Sequence, residues 1–199
     1  MQITSIKNSL ALTFFVAAGL ASFTASAQNI DLSLSKNTSL ELKQKASSFT
    51  TVLHGRTETT PAKLNRTLSD VLSQSDQIIV LSKKSIPFDS AEAITAIARI
   101  PSSKKPDGFC GAGHEDYLLF IKVQKHQLRL VDKALIQSCL HNVSLESDNG
   151  SDDPKDAVAS GTFPIIAQFK AMSPPDYEVK ELQAKIEEHK ITIEQQQAH

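Results

Sequence analysis

The sequence predicts a mainly β protein, an antiparallel β-sandwich or barrel-like domain with one or two short helices, preceded by a cleavable signal peptide. Short apolar runs alternate with polar residues along most of the chain, and clusters of turn-forming residues separate them. This period of two is typical of half-buried strands, and several short strands in succession favour antiparallel sheets. The chain lacks the regular alternation of strand and helix that predicts a parallel sheet.

The first 27 residues have the three-part layout of a secretory signal peptide. Lys7 supplies a positive charge, an apolar run follows from Ala11 to Leu20, and Ala25-Ser26-Ala27 offers small residues for cleavage. The apolar run is too short for a permanent membrane span. We therefore expect cleavage before Gln28, a single secreted β-rich domain over residues 28–199, and a periplasmic or extracellular location without a transmembrane anchor.

Eight segments after the leader carry the strand pattern, and the loop after the sixth is polar and acidic. Tyr117–Val123 and Leu128–Ile136 are the strongest pair, and residues 147–161 are expected to form an exposed loop because they are rich in turn formers. The predicted strands, in chain order, are Ile30–Leu34, Phe49–Leu53, Gln77–Leu81, Tyr117–Val123, Leu128–Ile136, Val143–Leu145, Phe163–Phe169 and Tyr177–Leu182.

One helix is predicted from Pro61 to about Ser73, with Thr60 as its cap and an apolar stripe along one face. The stripe consists of Leu64, Leu68, Val71 and Leu72. Residues 90–100 fit either a helix or a strand. Residues 177–194 also fit a helix, but their β-branched residues favour a hairpin that turns at residues 187–189.

Cys110 and Cys139 are the two cysteines of the chain, and in an exported protein such a pair predicts a disulfide. Folding the intervening segment about Gln124-Lys125 places Leu119 opposite Leu130 and also brings the cysteines face to face. Cross-strand neighbours lie at the separation that a disulfide needs. The hairpin and the disulfide thus support each other.

Composition and charge argue against several classes of function. The net charge is −1, and it becomes −2 when the leader, which carries one lysine and no acidic residue, is removed. Because basic residues are scattered, we expect no binding to nucleic acid. The absence of tryptophan disfavours a stacked carbohydrate site. We expect no cofactor and no metal, because the cysteine and histidine spacings match no known metal motif.

The segment from Gly108 to Asp116 is the most unusual stretch, since it holds three of the seven glycines around a cysteine and then His, Glu and Asp. Loops of this kind often carry function. We interpret it as a rigid loop, pinned by the disulfide, that projects charged side chains toward a partner. The candidate binding residues are Gly111, Gly113, His114, Glu115 and Asp116, and the alternative is a structural bulge with solvated charges.

These features favour an exported binding protein that acts by protein–protein contact, with an inhibitor or immunity protein as its concrete form. Its partner would be another envelope or secreted protein. The sequence lacks the GxSxG, SxxK and phosphate-loop motifs, so a non-catalytic role is favoured. Two alternatives stay open: an exported hydrolase that combines Glu115 and Asp116 with a histidine, and a structural envelope component with an exposed strand edge or apolar patch.

Overall fold

The computed structural model describes residues 28–34, 38–45, 48–82, 84–103, 110–111, 113–146, 153–159, 164–172, 177–187 and 190–196. The predicted signal peptide, residues 1–27, lies outside this part of the chain. Within it the predicted fold class is confirmed: the protein is mostly β, with antiparallel sheets and one short helix, and it is not a closed barrel. No helix in these residues is long and apolar enough to cross a membrane.

A small antiparallel sheet is built from the N-terminal part of the domain. Its strands follow one another in space as in sequence: β1 (Asn29–Ser33), β2 (Ser39–Lys45), β3 (Ser48–His54) and β4 (Thr59–Pro61). β2 is not among the predicted strands, although Leu40 and Leu42 alternate with polar residues there and both are buried. Pro61 ends an edge strand, where its missing N–H is tolerated.

The large sheet has eleven strands, and a path of eight runs in the order β15-β14-β13-β11-β10-β9-β8-β6. Three short strands pair off this path, β5 with β10 in parallel, β7 with β8 and β12 with β13. Their bounds are β5 (Lys63–Leu64), β6 (Gln77–Val80), β7 (Ile86–Phe88), β8 (Ala91–Pro101), β9 (His114–Gln124), β10 (Gln127–Ser138), β11 (Val143–Leu145), β12 (Val158–Ala159), β13 (Ile165–Met172), β14 (Val179–Glu187) and β15 (Lys190–Gln195).

The large sheet has a hydrophobic core on each face. On one face, the small sheet and the helix α1 (Arg66–Gln74) enclose a core that contains Leu40, Leu68 and Leu119. On the other face, β13 and β14 curl over β8 to β10 and bury Phe120, Ile136 and Ile165. The curled sheet does not close, but the carboxylate of Asp132 on β10 accepts a hydrogen bond from a backbone N–H of β15. This contact connects two distant strands of the sheet.

The segments that the sequence left open form strands. Within residues 90–100, all but Ser90 belong to β8, because six successive residues in this strand are buried between the two cores and apolar side chains are needed on both faces. Residues 177–194 contain the antiparallel pair β14 and β15, which confirms the favoured hairpin. The predicted exposed loop over 147–161 is described only at residues 153–159; Asp153, Lys155 and Asp156 are exposed as predicted, but Val158 is buried and β12 pairs with β13.

The helix prediction is right in type but wrong at its start. The helix begins at Arg66 and not at Pro61, because Asn65 supplies the N-cap: its side-chain oxygen accepts a hydrogen bond from the Leu68 N–H at 3.2 Å. The same oxygen accepts the Leu130 N–H at 3.1 Å. Asn65 therefore ties the first turn of the helix to β10. Leu64, predicted as part of the helical stripe, lies in β5.

The hairpin of β9 and β10 exists, but the predicted register is wrong. The turn is centred on Lys125 and His126, and Lys125 takes a left-handed conformation with φ 54°. Leu130 consequently pairs with Ile121 instead of Leu119. Two bulges then shift the register near residues 131 and 136. As a result β10 changes faces, so it contributes Leu128 and Leu130 to one core and Ala134 and Ile136 to the other.

Candidate functional site

The predicted disulfide is present at one end of the large sheet. Cys110 and Cys139 are bonded, with 5.7 Å between their Cα atoms. The hairpin ladder stops before it reaches them, at Ser138 and Glu115, so the disulfide does not follow from the predicted register. Instead the chain turns at residues 110–113, where the Gly113 N–H donates to the Cys110 carbonyl at 2.9 Å. This turn carries Cys110 back to Cys139.

The two predicted glycines of this turn have different surroundings. A Cβ on Gly113 would stand 2.9 Å from the Cys139 Cβ and 3.2 Å from the Cys110 carbonyl oxygen. Gly113 is therefore needed for close packing against the disulfide. The left-handed residue of the turn is Cys110 itself, with φ 60°. Gly111 is partly buried beside it.

Glu115 is buried and holds the chain that follows the disulfide. Glu115 lies on β9, and only 7% of this residue is exposed. The Ser102 hydroxyl donates to its Oε1 at 2.5 Å, and the Leu140 backbone N–H donates to the same atom at 3.4 Å. The carboxylate thus fixes the turn that contains Leu140.

Asp116 is fully buried and paired with Arg99 on the neighbouring strand β8. The guanidinium donates two hydrogen bonds, Nε to Oδ1 at 2.9 Å and Nη2 to Oδ2 at 2.8 Å. This bidentate geometry is the strongest form of carboxylate recognition by arginine. The hydrogen bonds that Arg99 donates to Asp116 raise the pKa of Arg99, and the charges of Asp76 and Asp153 act in the same direction.

Of the three predicted side chains His114, Glu115 and Asp116, only that of His114 is substantially exposed. About a third of it, 35%, is accessible, and its Nε2 lies 3.3 Å from the Asp76 carboxylate just before β6. The expected projecting geometry is therefore wrong for Glu115 and Asp116, because both carboxylates lie within the sheet and accept internal hydrogen bonds. The binding role of the segment stays a prediction, with His114 as its accessible member.

Exposed apolar side chains cluster beside this segment, at the same end of the sheet. Five large hydrophobic residues are exposed in the described part of the chain, and four of them lie on adjacent elements here. Register connects them: the Met172 N–H donates to the Asn142 carbonyl in the turn that contains Leu140, and Met172 pairs with Val179. We call this set the apolar row; its exposed fractions are 48% for Leu140, 39% for Met172, 58% for Tyr177 and 56% for Val179.

A groove of about 410 Å³ lies between the edge strands β1 and β6. Its walls are the two strands, and Arg99 and residues 153–155 close one side. Arg99 is held in place by Asp116, so the predicted segment stabilises a wall of the groove without lining it. His114, Glu115 and Asp116 are not among the lining residues. The volume falls within the range of ligand pockets.

The hydrolase and metal interpretations gain no support from this geometry. In the described residues, no three His, Cys, Asp or Glu side chains are grouped to hold a metal ion. Glu115 and Asp116 belong to separate networks, one with Ser102 and the other with Arg99. The two carboxylates do not converge on a shared substrate position, as acid–base catalysis requires.

Comparisons with protein-family models, with curated protein sequences and with solved structures give no significant match. The sequence predicted the disulfide that lies beside the candidate segment. It did not reveal the apolar row or the groove, because each is assembled from strand ends far apart in the chain. A weak signal for the row was present in Tyr177 and Val179, two apolar residues that follow a turn-rich stretch.

Proposed function

We propose that the protein is an exported binding protein whose disulfide end contacts a protein partner through the apolar row. The observation that carries this proposal is that four of the five exposed large apolar residues in the described chain lie on neighbouring strand ends and turns. Soluble monomers rarely expose clustered apolar groups without a binding role. A disulfide and a secretory leader support a location in the periplasm or outside the cell.

The structure around the row supports a fixed contact surface. The disulfide and the Glu115 carboxylate both hold the turn that presents Leu140. Met172 and Val179 stand on paired strands, so their backbones are fixed by the ladder. A surface that is ordered before binding loses little conformational entropy on association. Aromatic residues such as Tyr177 are frequent anchors of protein interfaces.

An inhibitor or immunity protein is the concrete form that we favour. In this form the row would sit on an enzyme directed at the cell wall, and His114 with its partner Asp76 would provide the polar rim. Protein interfaces generally combine an apolar centre with such a rim.

The test is capture of a partner from envelope extract by the purified protein, with its disulfide intact. Wild type is compared with the double variant Y177S/V179S and with I193S. Ile193 is the matched control because it is equally exposed, at 54%, but lies on β15 outside the row. We expect wild type and I193S to capture one stoichiometric protein, and the double variant to bind it at least about tenfold more weakly, as loss of interface anchors predicts.

Two results would overturn the proposal. One is the absence of any stoichiometric partner, and the other is a partner that the double variant retains at full affinity. Sedimentation velocity on the purified protein measures self-association and so tests the alternative of a structural envelope component. Self-association that Y177S/V179S abolishes would assign the row to contacts between copies of this chain and would contradict the proposed partner.

A further inference from the structure

The strands β1 and β6 form facing edges of the two sheets. β1 pairs with β2 on one side, and β6 pairs with β8 on one side. The other sides of β1 and β6 face each other across the groove. The two strands run in the same direction. At one end Gln28 contacts Ile78, and at the other the Ser85 N–H donates to the Ser33 carbonyl at 3.0 Å.

The backbone groups of both edges point into the groove. Along a strand, successive residues direct their N–H and C=O groups to opposite sides. The Ile78 N–H and C=O are directed away from β8, toward Gln28. Val80, two residues on, therefore has the same direction. On β1, the Gln28 carbonyl accepts from Gln44 on the β2 side, so Asn29 and Asp31 direct their groups into the groove.

The side chain of Gln28 already occupies this edge as a peptide group would. Its Nε2 donates to the Ile78 carbonyl at 2.6 Å, and its Oε1 accepts from the Ile78 N–H at 3.1 Å. A neighbouring strand makes the same pair of hydrogen bonds with one residue. The edge of β6 thus binds an amide at the end of the groove that no backbone hydrogen bond between β1 and β6 closes in the described residues, and this occupant is a side chain that rotation can remove.

We propose that the groove binds an extended peptide segment of the protein partner, which adds as a strand between β1 and β6. This proposal rests on the proposed function, because it names how a partner segment is held. The segment enters at the end marked by Gln28, since the other end is closed by Ser33 and Ser85. Strand addition of this kind derives its affinity from main-chain hydrogen bonds.

The position of the groove is consistent with one partner that uses both surfaces. The open end lies at the start of β6, next to Asp76, and Asp76 contacts His114 beside the apolar row. The segment should carry apolar side chains at alternate positions, because the neighbouring side chains of Leu32 and Ile78 belong to a buried core. It should lack proline where its own N–H groups pair.

The experiment uses a phage-displayed library of random linear peptides, selected on the full chain in the form to which a bacterial host processes it. Enriched peptides are synthesised and titrated against wild type, V80P, D31P and I193P. Proline at Val80 or Asp31 removes an N–H that points into the groove and leaves the existing ladder intact. Ile193 is the control, because its N–H points outward from the other edge strand, as the neighbouring Ile191 N–H does.

We expect peptides that bind wild type and I193P equally and bind V80P and D31P about tenfold more weakly, as loss of a backbone hydrogen bond and a clash with the proline ring predict. Q28A should bind more tightly, because no side chain has to be displaced. Binding should also slow amide hydrogen exchange at Asp31 and Val80. Urea denaturation of each variant shows whether a weak binder is folded.

Failure of this inference is distinct from failure of the proposed function. If a partner is captured through the apolar row but no library peptide depends on Val80 or Asp31, strand addition is wrong and the proposed function stands. If groove-dependent peptides are found but the row variant captures the partner normally, the row assignment is wrong. Peptides that bind V80P as tightly as wild type would overturn strand addition directly.

Discussion

Replacement of Asp116 by asparagine tests whether this residue supports the structure or contacts a partner. The side chain of Asp116 is fully buried, and that of Arg99 is 18% exposed. Asparagine has nearly the same shape but no charge, and its amide nitrogen faces a guanidinium that can only donate. The variant therefore leaves one charge-assisted hydrogen bond unmade and the buried part of Arg99 without its counter-charge.

The expected loss of unfolding free energy is about 3 kcal/mol. Removal of one partner from a buried ion pair costs about 3–5 kcal/mol. The lower end applies because Arg99 is partly exposed and because Asp76 and Asp153 lie near enough to raise its pKa. The double variant R99M/D116L removes both charges, so it should lose less stability than D116N.

The assay is urea denaturation at neutral pH with the disulfide intact, and linear extrapolation gives the free energy of unfolding. Equal slopes for wild type and both variants are required for the comparison. A D116N protein within about 0.5 kcal/mol of wild type would refute the structural role. If that stable variant also failed to capture the partner, the predicted contact role of Asp116 would be restored.

Three further substitutions test other parts of the structure. Gly113→Ala should lower the free energy of unfolding by about 1–3 kcal/mol, because the added Cβ would stand 2.9 Å from the Cβ of Cys139. An unchanged free energy of unfolding in urea would contradict this close packing. Asn65→Ala should lower the free energy of unfolding by about 2 kcal/mol and lower the thermal midpoint, since it removes the helix cap and the acceptor of the Leu130 N–H. An unchanged midpoint would show that the cap is dispensable. The pKa of Glu41 is lowered, chiefly by its hydrogen bond with Lys43, so its carboxylate stabilises the fold above the pKa of the unfolded chain and loses this effect as the pH falls through the folded value. Urea denaturation should therefore show a larger gap between wild type and E41Q near neutral pH than in acid, and a gap that does not vary with pH would contradict the assignment.

The sequence predicted which segments form strands better than it predicted the register in which the strands pair. Period-two patterns identified most long strands, because one face of each strand must be apolar to reach a core. Strand β8 was left open, since its burial on both faces removes the alternation. The register of β9 and β10 was missed because a non-glycine residue, Lys125, takes the left-handed position in the turn, and because the bulges near residues 131 and 136 have no local signature.

The binding role of the candidate segment stays a prediction, and the geometry expected for it was partly wrong. Charges beside glycines suggested an exposed loop, but Glu115 and Asp116 are consecutive residues of β9 and both are buried in the sheet. The partner of Asp116 is Arg99, 17 residues away on β8. This pairing could not be predicted, because residues 90–100 fitted either a helix or a strand. The apolar row and the groove depend on which strand ends become neighbours, which is a property of topology and not of any local pattern.

The most direct test of the central claim, that the apolar row contacts a protein partner, is an equilibrium titration of the purified partner. It is titrated against wild type, Y177S/V179S and I193S, each shown by urea denaturation to be folded. The account predicts equal affinity for wild type and I193S, and a loss of at least about tenfold for Y177S/V179S. Equal affinity for all three proteins would contradict it and would place the contact elsewhere on the surface.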